Sequence, residues 1–99
     1  MKFISKFFKS DKPIINIIRM NGVIASGSKF PGSSNLSLES LEKQIERAFA
    51  GKKIAGVALI INSPGGSPVQ SALISERIVE LSSKNNIPVF AFVEDVAAS

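Results

Sequence analysis

The chain contains no histidine, cysteine, threonine, tyrosine or tryptophan, and this absence narrows its chemistry more than any motif does. Zinc loses its two preferred ligand types. Ser-His-Asp and Cys-His catalysis cannot be assembled, nor can an amino-terminal threonine mechanism. A nucleophile of this chain would be a serine, with a lysine base desolvated enough to hold its amine neutral near working pH. Against that inventory one stretch stands out: "INSPGGS", residues 61–67. The apolar run Val57-Ala58-Leu59-Ile60-Ile61 stops at Asn62-Ser63-Pro64, two glycines follow, and a helical pattern begins at once. Gly65 and Gly66 therefore stand at the carboxyl end of a predicted parallel strand and the amino end of a helix. Ligands of open parallel sheets collect at that edge, and the first amides of a helix are free donors with partial positive charge. Two residues without side chains let a phosphate or a tetrahedral oxyanion lie against those amides. A tight strand-to-helix turn after Pro64 uses the same glycines, and the residues alone leave both readings open.

Other chemistries find less support. Gly51-Lys52 would need a glycine at position 46 to make a phosphate-binding P-loop, and Glu46 stands there; no G-x-G-x-x-G occurs. Glu94 and Asp95 are adjacent at a strand end, so they point opposite ways and do not share a metal or acid–base site. No cofactor and no metal is expected. The formal net charge is +4, and it resides at one end. Lys2, Lys6, Lys9, Lys12 and Arg19 against Asp11 already supply it, while the remainder is neutral. A nucleic-acid-binding domain with a basic face is therefore not expected. In the segment "MKFISKFFKS", Phe3, Ile4, Phe7 and Phe8 form an apolar stripe opposite Lys2, Lys6 and Lys9. It reads either as weak contact with an anionic membrane surface or as a terminus docking on its own domain. No apolar run is long enough to span a bilayer, and the tip is too short for a secretory signal.

The elements that must position the glycines follow from pattern. Strands are predicted near 14–20, 56–62 and 88–93, and helices near 38–50 and 67–84. The first helix has Ser37 as its cap, Leu36 and Leu41 at staple positions, and Gly51 as its stop. Leu38, Leu41, Ile45, Ala48 and Phe49 share its apolar face. In the second, Ser67 caps, Pro68 takes the first helical position and Gln70 completes a capping box. Ile74, Ile78 and Leu81 lie on one side of it and Val69, Ala72 and Val79 on nearly the opposite one, so both sides should be covered, by the fold or by a neighbouring subunit. Residues 25–35, rich in Gly, Ser and Pro, read as a loop. Strand, helix, strand, helix, strand implies α/β architecture with a largely parallel sheet and right-handed crossover helices.

Taken together, "VALIINSPGGSPVQSALI" and, about 25 residues later, "PVFAFVEDVAAS" resemble the signal peptide peptidase (SppA-type) family of serine peptidases in the ClpP/crotonase superfamily. The resemblance runs from about Ile14 to Ser99. It implies a spiral of strand-strand-helix units, present here incompletely, with residues 1–12 as a basic amphipathic segment and 13–99 as part of the peptidase domain. By resemblance Ser99 is the nucleophile, the backbone amides of Gly65 and Gly66 shape the oxyanion hole, and Gly22 to Ile24 match the family's first strand ending. The implied reaction is peptide-bond hydrolysis by a Ser-Lys mechanism, on signal peptides or other membrane-derived peptides. The implied assembly is a closed homo-oligomer of the full-length form, in the bacterial cytoplasm or associated with the membrane.

The family's Gly-Gly after the serine and its downstream lysine have no match here. Lys52 and Lys53 sit in a helix-to-strand connection. The chain thus reads as the amino-terminal part of such a domain, truncated at the nucleophile and inactive alone. Two rival expectations are a crotonase-like acyl-CoA enzyme, which would set the same amides against a thioester enolate, and a non-catalytic remnant acting as an assembly partner.

Overall fold

A computed structural model describes residues 12–26 and 35–94. Three runs of β-branched and apolar residues form its main sheet: β1 (Ile14–Asn21), β4 (Ile54–Asn62) and β5 (Val89–Val93), in the order β1-β4-β5. Both pairings are parallel, with Ile18 opposite Leu59 and Leu59 opposite Ala91. The chain returns from β1 to β4 through α1 (Leu38–Phe49), and from β4 to β5 through α2 (Pro68–Asn85). The α/β class, the largely parallel sheet and all five predicted elements are present, with boundaries within two residues of expectation. The arrangement is compatible with an incomplete α/β spiral.

Two short strands were not expected. β2 (Val23–Ile24) and β3 (Asn35–Leu36) pair in parallel, flanking the predicted loop. Gly22, at φ +116°, bends the chain at the end of β1, a conformation that costs glycine little. Its amide bonds to the Asn62 carbonyl, 3.2 Å away, so β2 continues alongside the chain that leaves β4.

One face of the sheet makes the core. Ile18, Met20, Val57 and Leu59 are buried against Leu41, Ile45, Ala48 and Phe49 of α1 and Ile74, Ile78 and Leu81 of α2. The Leu36–Leu41 staple is buried at both ends. Asn16 Nδ2 donates to the Ala48 carbonyl at 2.8 Å, satisfying one of the acceptors that a helix end leaves open. Arg77 of α2 reaches Glu46 and Glu80 at 2.9 Å each. Its Nε lies 3.5 Å from Glu42, an ion contact too long for a good hydrogen bond. Asn86, in the left-handed region, ends α2 and turns Ile87 back onto the core.

The opposite face of the sheet carries Ile15, Ile17, Phe90 and Phe92, each about half exposed. On α2, Val69, Leu73 and Val79 are exposed as well. Within the described residues α2 is thus covered on one side only.

Candidate active site at the carboxyl edge of the sheet

All three main strands run the same way and end together, at Asn21, Asn62 and Val93. At this edge Asn62 Nδ2 donates to Glu94 Oε1 at 3.1 Å, and the Glu94 amide donates to the Ile61 carbonyl at 2.8 Å. The side chain of Asn62 therefore ties the end of β4 to the residue that follows β5. Residues 95–99, and with them the predicted nucleophile Ser99, lie outside the described residues.

The glycine pair divides into two unlike positions. Gly66 forms an isolated parallel bridge with Ile24. The Ile24 amide donates to the Gly65 carbonyl at 3.0 Å, and the Ser67 amide donates to the Ile24 carbonyl at 2.6 Å. In a parallel bridge the residue between two such bonds turns its own N–H and C=O the other way. The N–H of Gly66 accordingly points away from β2 and has no hydrogen-bond partner among the described residues. A Cβ on Gly66 would collide with the Ile24 carbonyl. Gly65, at φ +104°, has open space where a side chain would stand. Its N–H donates to Ser63 Oγ at 3.1 Å. The two glycines thus answer to different demands: Gly66 to backbone approach, Gly65 to turn conformation with room beside it.

The predicted capping box at α2 is half formed. Ser67 Oγ accepts from the Gln70 amide at 3.1 Å, as expected. The Gln70 side chain does not return to Ser67, because the Ser67 amide is already held by Ile24. Its Oε1 instead accepts from the Leu38 amide at 2.9 Å, at the first turn of α1. The box that does close is at α1, where Ser37 and Ser40 bond reciprocally.

Between α2 and the sheet lies an apolar cavity of about 420 Å³, walled by Met20, Ile24, Leu59, Ile61, Ile74 and Val89. Ile24 belongs both to this wall and to the bridge with Gly66. No described lysine stands at this edge. Lys12 and Lys53 precede β1 and β4, Lys84 lies in the last turn of the antiparallel α2, and Lys43 is midway along α1. Among the described residues no group of three or more acidic side chains is arranged to hold a metal.

The Asn62–Glu94 link, the Ile24–Gly66 bridge and the Gln70–Leu38 bond were missed from the sequence. Each joins residues more than thirty positions apart and has no local pattern. The amphipathic segment at residues 1–11 also falls outside the described residues. No described helix is long and apolar enough to cross a membrane.

No family model matches the chain. It is 45% identical over 101 residues to a protein named Na(+)/H(+) antiporter NhaA from Brucella melitensis biotype 1, a match spanning 99% of this chain and 13% of that protein. The protein of the same name from Brucella abortus (strain 2308) matches with the same identity and the same shares. The chain is 32% identical over 96 residues to "Putative signal peptide peptidase SppA" from Enterococcus faecium, covering 91% of this chain and 26% of that protein. The chain thus spans about an eighth of the length of the antiporter-named relatives and a quarter of the peptidase-named one. Likeness to a peptidase is present at the lower identity, and the higher identity goes with an ion-exchanger's name.

Proposed function

We propose that the chain forms the oxyanion-binding half of a serine peptidase site of the SppA type, with Ser99 as nucleophile. The observation that carries this reading is Gly66: its backbone is locked against Ile24, and its N–H has no partner among the described residues at the carboxyl edge of the sheet. β2 lies on one side of Gly66, and β5 pairs with β4 on the other. On this reading the amide turned away from β2 faces the segment that follows β5. As Ser99 Oγ adds to a peptide carbonyl, negative charge develops on the carbonyl oxygen. A fixed amide aimed at that charge acts without reorganising, and one such donor is worth about 10²–10³ in turnover. The Gly65 amide adds a second donor if the Ser63 hydroxyl turns away. The space beside Gly65 leaves room for the peptide, and the apolar cavity bounded by Ile24 suits an apolar side chain of it.

The base is the part that the described residues do not supply. Their lysines lie midway along α1 or at the far edge of the sheet, so a lysine from elsewhere must accept the serine's proton. In the family that the chain resembles, that lysine lies downstream of the nucleophile and no lysine here matches it, so we expect the 99-residue chain alone to be inactive.

The antiporter name attaches to proteins of which this chain matches 13%. Ion exchange across a bilayer needs membrane-spanning segments with polar groups along the path. The two described helices have 12 and 18 residues, and α2 carries Glu76, Arg77, Glu80 and Lys84. We therefore assign the exchange activity to other parts of those relatives and a peptidase-like role to the stretch they share with this chain. A crotonase-like reaction would use the same amide, but no observation favours it.

The test is to expose the chain, and a form extended with its natural downstream sequence, to an activated phosphonate probe and a fluorogenic peptide. Labelling of Ser99 and hydrolysis are expected in the extended form only. An extended, folded form that is neither labelled nor active overturns the assignment.

A further inference from the structure

The Gly66 amide can serve as a fixed donor only if Ile24 is itself held, and β2 is two residues long. A ladder that short does not persist by itself. Five hydrogen bonds close a ring that passes through it. The Ile24 amide binds the Gly65 carbonyl and the Ile24 carbonyl binds the Ser67 amide. On the other side of β2, the Ala25 amide donates to the Leu36 carbonyl of β3 at 3.0 Å. Leu36 leads in two residues to Leu38, whose amide donates to Gln70 Oε1. The Gln70 amide donates to Ser67 Oγ, which returns the ring to Gly66.

Four of these links are backbone pairing or an ordinary helix cap. The fifth, Gln70 to Leu38, is a side chain crossing between the first turns of two helices, and it is the hydrogen bond that ties the β2–β3 pair to the start of α2. We infer that Gln70 is a positioning residue for the Gly66 amide. Through Leu38 it holds β3, through β3 it holds β2, and through Ile24 it holds Gly66, where a Cβ would collide with backbone. The role rests on reading Gly66 as the oxyanion donor, although the mechanical coupling itself does not need any reaction.

Chemistry explains why glutamine suits this place. The Leu38 amide is one of the donors that the start of a helix leaves unsatisfied, so an acceptor is required. Glutamate would also accept there, and its charge would be favoured by the two nearby helix amino termini. Leucine, of similar size, offers no acceptor and leaves the Leu38 amide unpaired.

The test is amide hydrogen exchange on the 99-residue chain and its Gln70→Leu and Gln70→Glu variants, read at Leu38, Ile24 and Ser67, with Ile78 in the middle of α2 as a control. In Gln70→Leu, exchange at all three sites should rise by about fivefold or more, the scale of one lost hydrogen bond, with Ile78 unchanged. Gln70→Glu should restore protection. If exchange rises at Leu38 alone, Gln70 is a local helix cap and the inference is wrong. If Ile78 rises equally, the effect is global destabilisation, and the inference is wrong again. The phosphonate probe separates the two layers: failure of the extended wild-type form to label refutes the peptidase reading, whereas the exchange pattern alone decides whether Gln70 governs the Gly66 turn.

Discussion

Gly66 and Ile24 meet backbone to backbone, with Ile24 bonded to the residues on either side of Gly66 and no space between them for a Cβ. Gly65, one residue earlier, has nothing within 4 Å of the position a Cβ would take. Adjacent glycines should therefore respond differently to alanine. At Gly65 the cost is that of holding an L residue at φ +104°, about 1–3 kcal/mol. At Gly66 the same kind of strain is joined by a collision with backbone that cannot step aside, so the bridge to β2 must break. Thermal denaturation should rank Gly66→Ala below Gly65→Ala. Exchange at Ile24 and Ser67 should become fast in Gly66→Ala only. Equal effects would mean that the bridge does not constrain the turn.

Much of the fold is legible in the sequence because it is written in local patterns. The 3.6-residue recurrence of Leu41, Ile45, Ala48 and Phe49 marks the buried face of α1, and Ser67-Pro68 marks the start of α2. The site is less legible. The two glycines are visible as a turn with room for an anion, but which of them is pressed against backbone depends on β2, two residues between the predicted first strand and the predicted loop, too few to show a strand pattern. Gln70 matches a capping-box position, and local reasoning closes the box on Ser67. The structure sends it to α1 because Ile24 has already taken the Ser67 amide. Long-range competition for one donor leaves no trace in spacing.

The core should be sensitive at Ile45, which is fully buried between α1 and the sheet. Ile45→Ala removes apolar contacts and leaves a cavity, at a cost of about 2–5 kcal/mol; Ile45→Val should cost about 0.5–1.5 kcal/mol. Urea denaturation with unchanged m-value reads both. A loss below 1 kcal/mol for the alanine variant would contradict the packing.

Arg77 joins α2 to α1 through Glu46 and Glu42 and also meets Glu80 on its own helix. The hydrogen bond to Glu80, then that to Glu46, raises its pKa above the ordinary guanidinium value. A cation with a raised folded pKa adds stability that is fully present below the unfolded value. It is lost only as pH climbs through the folded one, in strong alkali. From neutral pH to pH 10 the contribution of Arg77 should therefore be flat. Arg77→Met should lower the Tm, and the difference from wild type should shrink in high salt. A difference that disappears between pH 7 and 10 would show that the cluster does not work as a guanidinium-centred pair.

The face of the sheet that no other described element covers makes a further expectation. Parallel sheets are ordinarily covered on both faces, yet Ile17, Phe90 and Phe92 are exposed together. The 99-residue chain should bind an apolar dye such as ANS while folded, and Phe92→Lys should reduce that binding while shifting stability by no more than about 0.5 kcal/mol. Unchanged dye binding in the variant would place the exposed apolar surface elsewhere.

The central claim is that the Gly66 N–H receives the charge developed when Ser99 attacks. It is tested most directly by recording the amide proton resonances of Gly65 and Gly66 in the extended form, before and after a phosphonate is bonded to Ser99. A donor that takes up the phosphonyl oxygen should show its proton moving downfield and its exchange slowing. The account predicts both changes at Gly66, with Gly65 following only as far as the Ser63 hydroxyl releases it. Labelling of Ser99 with the Gly66 resonance unmoved would contradict it.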